Sequence, residues 1–265
     1  MTGPYLHFSV DDVFGCVEDL FAGGHASPWE QPTFAYLRRL HEEYGLVTSL
    51  YLFGGSATSR WELANADERF VGAFAAASSW LRFGFHAADD ATRYSQGAVS
   101  PAAAARHYRT VVTAISRFAG AEAVDRAPRT HYFTGSEATL RAWQGEESGP
   151  LGLLTPDDER EEAYHLAPAA SAAIRALGTG RDEALGLWLF RTDVRLERSP
   201  DVASTLRAAD AALETGGALH AFTHEQYLAE SGVRERLEAL AHYLAQLGIV
   251  GAFPLDAAQG AGARG

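Results

Sequence analysis

The sequence predicts an α/β fold, a single βα barrel of seven or eight strands, and two observations carry that reading. Short apolar runs alternate with amphipathic helical patterns along the whole chain, which implies a parallel sheet with crossover helices. Several of those runs end in a residue able to do chemistry: Asp11 and Asp12, His86, His131, Asp193 and His224. Reactive groups collected from the C-terminal ends of many strands mark a βα barrel. An open doubly wound sheet is the alternative, but no glycine-rich phosphate fingerprint follows the first strand. At 265 residues the chain suits one such domain, taken here as residues 1–256, with the Ala- and Gly-rich stretch 257–265 as a disordered tail.

The elements follow in order. Tyr5 to Val10 alternates apolar and polar residues and runs into Asp11-Asp12, so it reads as a strand whose tip carries two carboxylates. Successive strand side chains point to opposite faces, so the two acids share one environment only if the strand ends there. Pro32 to Tyr44 places Phe34, Leu37, Leu40 and Tyr44 on one face of a helix, and Gly45 stops it. Val47–Phe53 is the second strand. A helix over Asp67–Ser79 precedes a third strand ending at His86, and Ser100-Pro101 opens a helix through Phe118. Arg129–Phe133 reads as a strand, Glu137–Trp143 as a short helix and Gly152–Leu154 as a strand stub. Thr155-Pro156-Asp157-Asp158 reads as cap, first turn and acidic N-terminus of a helix running Glu159–Leu177. Leu185–Phe190 is a strand, Val202–Leu213 a helix, Gly217–Thr223 a strand delivering His224, Val233–Leu247 a helix and Ile249–Phe253 a last strand.

Composition narrows the chemistry. A net charge of −12 argues against a nucleic-acid surface. All 22 basic residues are Arg, so Schiff-base and P-loop lysine chemistry is unavailable. Cys16 is the only cysteine, which excludes an intrachain disulfide and leaves it as a small buried residue after the first strand. The N-terminus enters a strand within a few residues and no run is long enough to span a membrane, so the expectation is a cytoplasmic protein with no membrane partner.

With these residues in place, the chain resembles the polysaccharide deacetylases of carbohydrate esterase family 4, as a divergent branch. Ser9-Val10-Asp11-Asp12-Val13 is similar to that family's strand ending T/S-F-D-D-G; the resemblance implies Asp11 as general base and Asp12 as metal ligand. Phe83-Gly84-Phe85-His86 is similar to the segment entering H-S/T-x-x-H, implying His86 as a ligand. Ala218–Glu225 is similar to the last motif, ending L-x-H, implying His224 as general acid, and Arg129 stands where an Arg orients the catalytic Asp. The sequence departs from the pattern in two places. Val13 replaces a Gly, and four residues after His86 stands Asp90, beside Asp89, where the family has its second His. On a helical turn an i, i+4 pair still shares a face, so Asp12, His86 and Asp90 are the expected ligands, with Asp89 as the substitute for Asp90. One divalent ion is implied, zinc first, then manganese or iron. His131 and Asp193 are expected to line the substrate cleft. The implied activity is metal-dependent removal of an acetyl group from an amide nitrogen, on a carbohydrate or small amide substrate. The alternatives are a degenerate carbohydrate-binding barrel, motivated by the missing His, and a hydrolase of other C–N bonds.

Overall fold

The computed structural model describes residues 3–158, 160 and 163–262, and among these nine strands and ten α-helices alternate. In chain order they are β1 (Tyr5–Val13), α1 (Gly15–Ala22), α2 (Pro32–Tyr44), β2 (Thr48–Phe53), α3 (Val71–Ala77), β3 (Leu81–Ala87), α4 (Pro101–Ala119), α5 (Glu137–Gln144), β4 (Gly152–Leu154), α6 (Pro168–Leu177), β5 (Thr179–Asp182), β6 (Leu187–Phe190), β7 (Val194–Arg195), α7 (Val202–Gly216), β8 (Ala218–His224), α8 (Glu225–Leu228), α9 (Ser231–Gln246), β9 (Val250–Gly251) and α10 (Pro254–Gly262). The helix signals act as expected. Gln31 accepts bonds from Thr33 N and Phe34 N ahead of Pro32, Ser100 caps α4 ahead of Pro101, and Gly45 ends α2 at φ 70°. No helix among the described residues is long and apolar enough to cross a membrane.

The main sheet runs β3-β2-β1-β8-β7, all parallel, with β9 pairing the start of β1 before β2 takes over that edge at Phe8. A second sheet runs β4-β6-β5, where β5 and β6 form an antiparallel hairpin that the sequence reading lacked. The α/β class stands, but the closed barrel does not. Between β3 and β4 no strand intervenes among the described residues; the segment 124–128 joins them by scattered bonds, Asp125 N to Phe83 O at 2.7 Å on one side and Leu151 N and Gly152 N to Arg126 O and Leu154 N to Pro128 O on the other. On the far side, β6 and β7 lie in different sheets, and Asp193 N to His220 O at 2.9 Å continues the pairing. Pro128 has no N–H to give a ladder. The expected strand over Arg129–Phe133 is instead a tight turn with Tyr132 and Phe133 both in the left-handed region, at φ 57° and 58°.

The alternation in β1 has an unexpected meaning. Its polar positions face the space between the two sheets rather than solvent. His7 bonds Ser49 Oγ at 2.9 Å, Ser9 and Asp11 both accept from Arg129, and Tyr5 meets His220 Nε2 at 3.0 Å. Phe8 and Val10 sit in the main apolar core on the other face. The interior layer is polar because it leads to the site.

Two further expectations need correction. The helix begins at Pro168, not after Pro156; Thr155 gives its hydroxyl to Phe190 O, and Asp157 and Asp158 pair with arginines. Residues 159, 161 and 162 of the expected helix lie outside the described residues. The stretch 257–262, expected to be disordered, belongs to α10; Leu255 and Ala257 are buried against the sheets and Asp256 pairs with Arg82 at 2.8 Å. Residues 263–265 lie outside the described residues. Cys16 is buried in the core, as expected.

Candidate active site

The site forms where β1 breaks its own alternation. Val10 pairs with Leu50 but Val13 pairs with Leu52, so three steps along β1 match two along β2. This is a β-bulge, and at its centre Asp12 adopts φ 58°, a conformation Asp tolerates better than most residues. The bulge re-aims Asp12, so that both carboxylates line one cavity of about 550 Å³ at the C-terminal edge of the sheet. Glu225, first residue of α8, clamps the loop beyond: its carboxylate accepts from the backbone N–H groups of Phe14, Gly15 and Cys16, the opening turn of α1.

Arg129 organises the first carboxylate. The side chain is fully buried, and its Nη1 donates to Asp11 Oδ1 at 2.8 Å and Ser9 Oγ at 2.9 Å, while Nη2 donates to Thr192 Oγ1 at 3.0 Å. The guanidinium lies 4.2 Å above the Phe222 ring. Asp11 Oδ2 accepts no hydrogen bond among the described residues and is free for work in the cavity.

Arg129 also fixes the histidine through its backbone. His86 Nδ1 donates to Arg129 O at 2.5 Å, which fixes the ring so that Nε2 lies 3.1 Å from Asp12 Oδ1. His131, two residues beyond Arg129, brings its Nε2 to 3.7 Å from the same oxygen. One ligand atom from each of Asp12, His86 and His131 lies within 4.8 Å of the others. Phe53 packs on both imidazoles, at 5.2 and 5.0 Å between ring centres. Burial, reinforced by His86, pushes the His131 pKa down to about 4, while burial of Asp12 is outweighed by the His86 contact, which holds its carboxyl down at about 2. A carboxylate and two imidazole nitrogens gathered at one point are the donor set of a divalent cation. The turn that presents His131 is strained, with two left-handed residues in succession. Thr130 Oγ1 to Thr134 O and Tyr164 N to Phe133 O hold it in place.

Across the cavity stands His224, at the end of β8. Its Nδ1 donates to Glu197 Oε1 at 2.6 Å, which directs Nε2 away from Glu197. Burial disfavours the His224 cation, but Glu197 and the charges of Asp11 and Asp12 outweigh it and hold the pKa above the ordinary value. Glu197 also accepts from Thr223 Oγ1 at 2.8 Å, and its own pKa is lowered, its burial being outweighed by the bonds it accepts.

No protein-family model and no curated protein sequence matches the chain. A solved structure does: a family 4 acetyl xylan esterase from Clostridium thermocellum in complex with a cobalt ion superposes with a TM-score of 0.51 at 10% identity, over 94% of this chain and 87% of that one. The chain has the family 4 carbohydrate esterase fold. The Bc1960 peptidoglycan N-acetylglucosamine deacetylase also superposes, with a TM-score of 0.47 at 11% identity over 94% and 87% of the two chains.

Within this fold the expected site residues divide. Asp11, Asp12, His86, Arg129 and His224 converge as the sequence suggested. Asp90 does not join them. It is exposed and lines a separate cavity of about 480 Å³ beside Gly54–Glu62 and His107. Asp89 caps the local turn, accepting from Ala91 N, Thr92 N and Thr92 Oγ1. The i, i+4 argument required a helical turn after His86, and the chain leaves β3 into bends instead. His131, expected only at the cleft, stands beside Asp12 and His86 instead. Asp193 does not line the cavity. It is paired with Arg191 and accepts from His220 N, and its burial raises its pKa to about 6. Glu197 escaped the sequence reading, because nothing local in Val194-Arg195-Leu196-Glu197-Arg198 singles it out; only the β7–β8 pairing brings it to His224.

The Glu197 contact makes a prediction. Glu197→Gln removes the charge that retains the His224 proton, so the His224 pKa should fall by about one unit or more. The acid form would then be lost at lower pH, moving the basic limb of any activity that needs it downward. An NMR titration of the His224 ring reads the shift directly; an unmoved midpoint would disconnect the pair.

Proposed function

We propose that the chain is a hydrolase that removes an acetyl group from an amide nitrogen of an N-acetylated sugar, using one divalent ion held by Asp12, His86 and His131. The observation that carries this reading is the placement of Asp11 and His224 on opposite sides of the same cavity, each held by its own buried partner. The ion, when bound, supplies polarisation of the acetamide carbonyl and acidifies water. Two imidazole nitrogens and one carboxylate suit zinc, with cobalt, manganese or iron as other occupants.

The chain's own residues do the proton work. Asp11 accepts the proton of the attacking water through the oxygen that Arg129 leaves free, and Arg129 fixes the orientation of that carboxylate. His224, kept protonated by Glu197, delivers a proton to the departing nitrogen. The fold similarity to an esterase that acts on acetyl groups supports the reaction class. His131, from another segment, stands near Asp12 and His86 and supports the catalytic reading over the non-catalytic one that the missing second histidine motivated.

The experiment is acetate release from N-acetylated oligosaccharides by metal-loaded protein. Asp11→Asn should retain the ion and lose roughly 10²-fold or more in rate, as for a missing general base. Near-normal turnover in that variant would remove Asp11 from the mechanism, and metal-loaded wild type that releases no acetate would overturn the reading.

A further inference from the structure

The cavity that holds the candidate catalytic groups is walled on one side by arginines, in a chain of net charge −12. Arg195 on β7, Arg198 just after it and Arg160 after β4 converge on two carboxylates, Asp157 and Asp158. Arg160 donates to both oxygens of Asp158, at 2.6 and 2.8 Å, and Arg195 Nη2 bonds Asp157. Arg198 is left with a loose contact, Nη1 at 3.5 Å from Asp158, with its side chain 62% exposed. Arg195 Nε is buried with no partner among the described residues. Tyr132 also lines the cavity, and Arg93 lies 3.8 Å over its ring and makes no ion pair among the described residues. Asp12 and Glu230 also line the cavity; Asp12 belongs to the candidate ion site, and Glu230 makes no ion pair with these arginines among the described residues. Asp11 and Glu197 are already engaged with Arg129 and His224.

Guanidiniums crowded on shared carboxylates repel one another, and spare N–H donors beside a cleft are what an anionic ligand satisfies. We infer that this wall is an anion subsite and that the substrate carries a carboxylate or phosphate near the reacting acetamide. The inference rests on the proposed function for where the acetamide sits. It adds that neutral N-acetylated sugars are the poorer ligands. Arg198 is the specificity-determining residue, because of the three arginines that line the cavity its charge is the least compensated and the most accessible. Arg160 and Arg195 are tied to Asp157 and Asp158 and shape the wall.

The test uses three sugars that differ at one carbon: N-acetylglucosamine, its C6 carboxylate and its 6-phosphate. Affinity for the metal-loaded protein, measured by calorimetry, reads the anion preference; acetate release, measured separately, reads the deacetylase reaction. At low salt at least one anionic sugar should bind about tenfold or more tightly than the neutral one, and the better of the two identifies the anion. The preference should shrink with added salt. Arg198→Gln should remove most of it, and Arg198→Lys should restore part. Equal affinity for all three sugars overturns the inference, as does a preference unchanged in both Arg198→Gln and Arg93→Gln. Preferential binding with no acetate release would leave the subsite standing and refute the proposed reaction instead.

Discussion

Replacing Arg129 by methionine is expected to destabilise the protein by about 3–5 kcal/mol, the usual result of removing one partner of a buried ion pair. The cause is Asp11, which is 2% exposed and loses its ion-pair partner. Ser9 and Thr192 lose their bonds to the same guanidinium. For a domain of this size the thermal midpoint should fall by about 10 °C. The double variant Arg129→Met with Asp11→Asn should recover a large share of that loss, because no uncompensated charge then remains. Thermal or urea denaturation of the three variants measures the coupling. A single variant within about 2 °C of wild type would mean that Asp11 finds water or another partner, and that Arg129 does not orient it.

The second large effect concerns the ion. Wild-type protein should bind about one divalent ion per chain, and Asp12→Ala, His86→Ala and His131→Ala should each weaken that binding by about 10²-fold or more, since three protein ligands are the minimum usual for such a site. Asp89→Ala and Asp90→Ala should leave it unchanged. Metal content after dialysis gives the stoichiometry, and the rise in thermal midpoint on adding zinc gives an independent reading. An ion at a hundred times its dissociation constant stabilises by about 2.7 kcal/mol. Retention of the ion by His131→Ala together with its loss from Asp90→Ala would reinstate the sequence-based ligand set and break the geometric one.

The contrast between Asp90 and His131 shows where reading the sequence reaches its limit. Asp90 stands four residues from His86 along the chain, and that spacing has meaning only if the backbone between them is helical. His131 lies 45 residues from His86. It reaches the same point because the segment after β3 crosses to the second sheet and turns sharply at two left-handed residues. The Arg129-Thr130-His131 spacing was visible in the sequence, but it carried no distance to Asp12. Glu197 is a similar case, twenty-seven residues before His224 and brought to it by the pairing of β7 with β8.

By itself the sequence determined the alternation of strands and helices, the starts and stops of helices such as α2 and α4, and the strand tips that carry Asp11, Asp12, His86 and His224. These follow from local periodicity, capping and the polar ends of apolar runs, each set within a few residues. The tertiary structure alone decided that the barrel stays open, that a bulge turns two adjacent acids into one cavity, that His131 rather than Asp90 joins Asp12 and His86, that Glu197 partners His224, and that arginines gather on one wall. Each of these depends on contacts between residues far apart in the chain. Such contacts are set by strand register and by single backbone torsions, and a one-residue change in either sends a side chain to the opposite face.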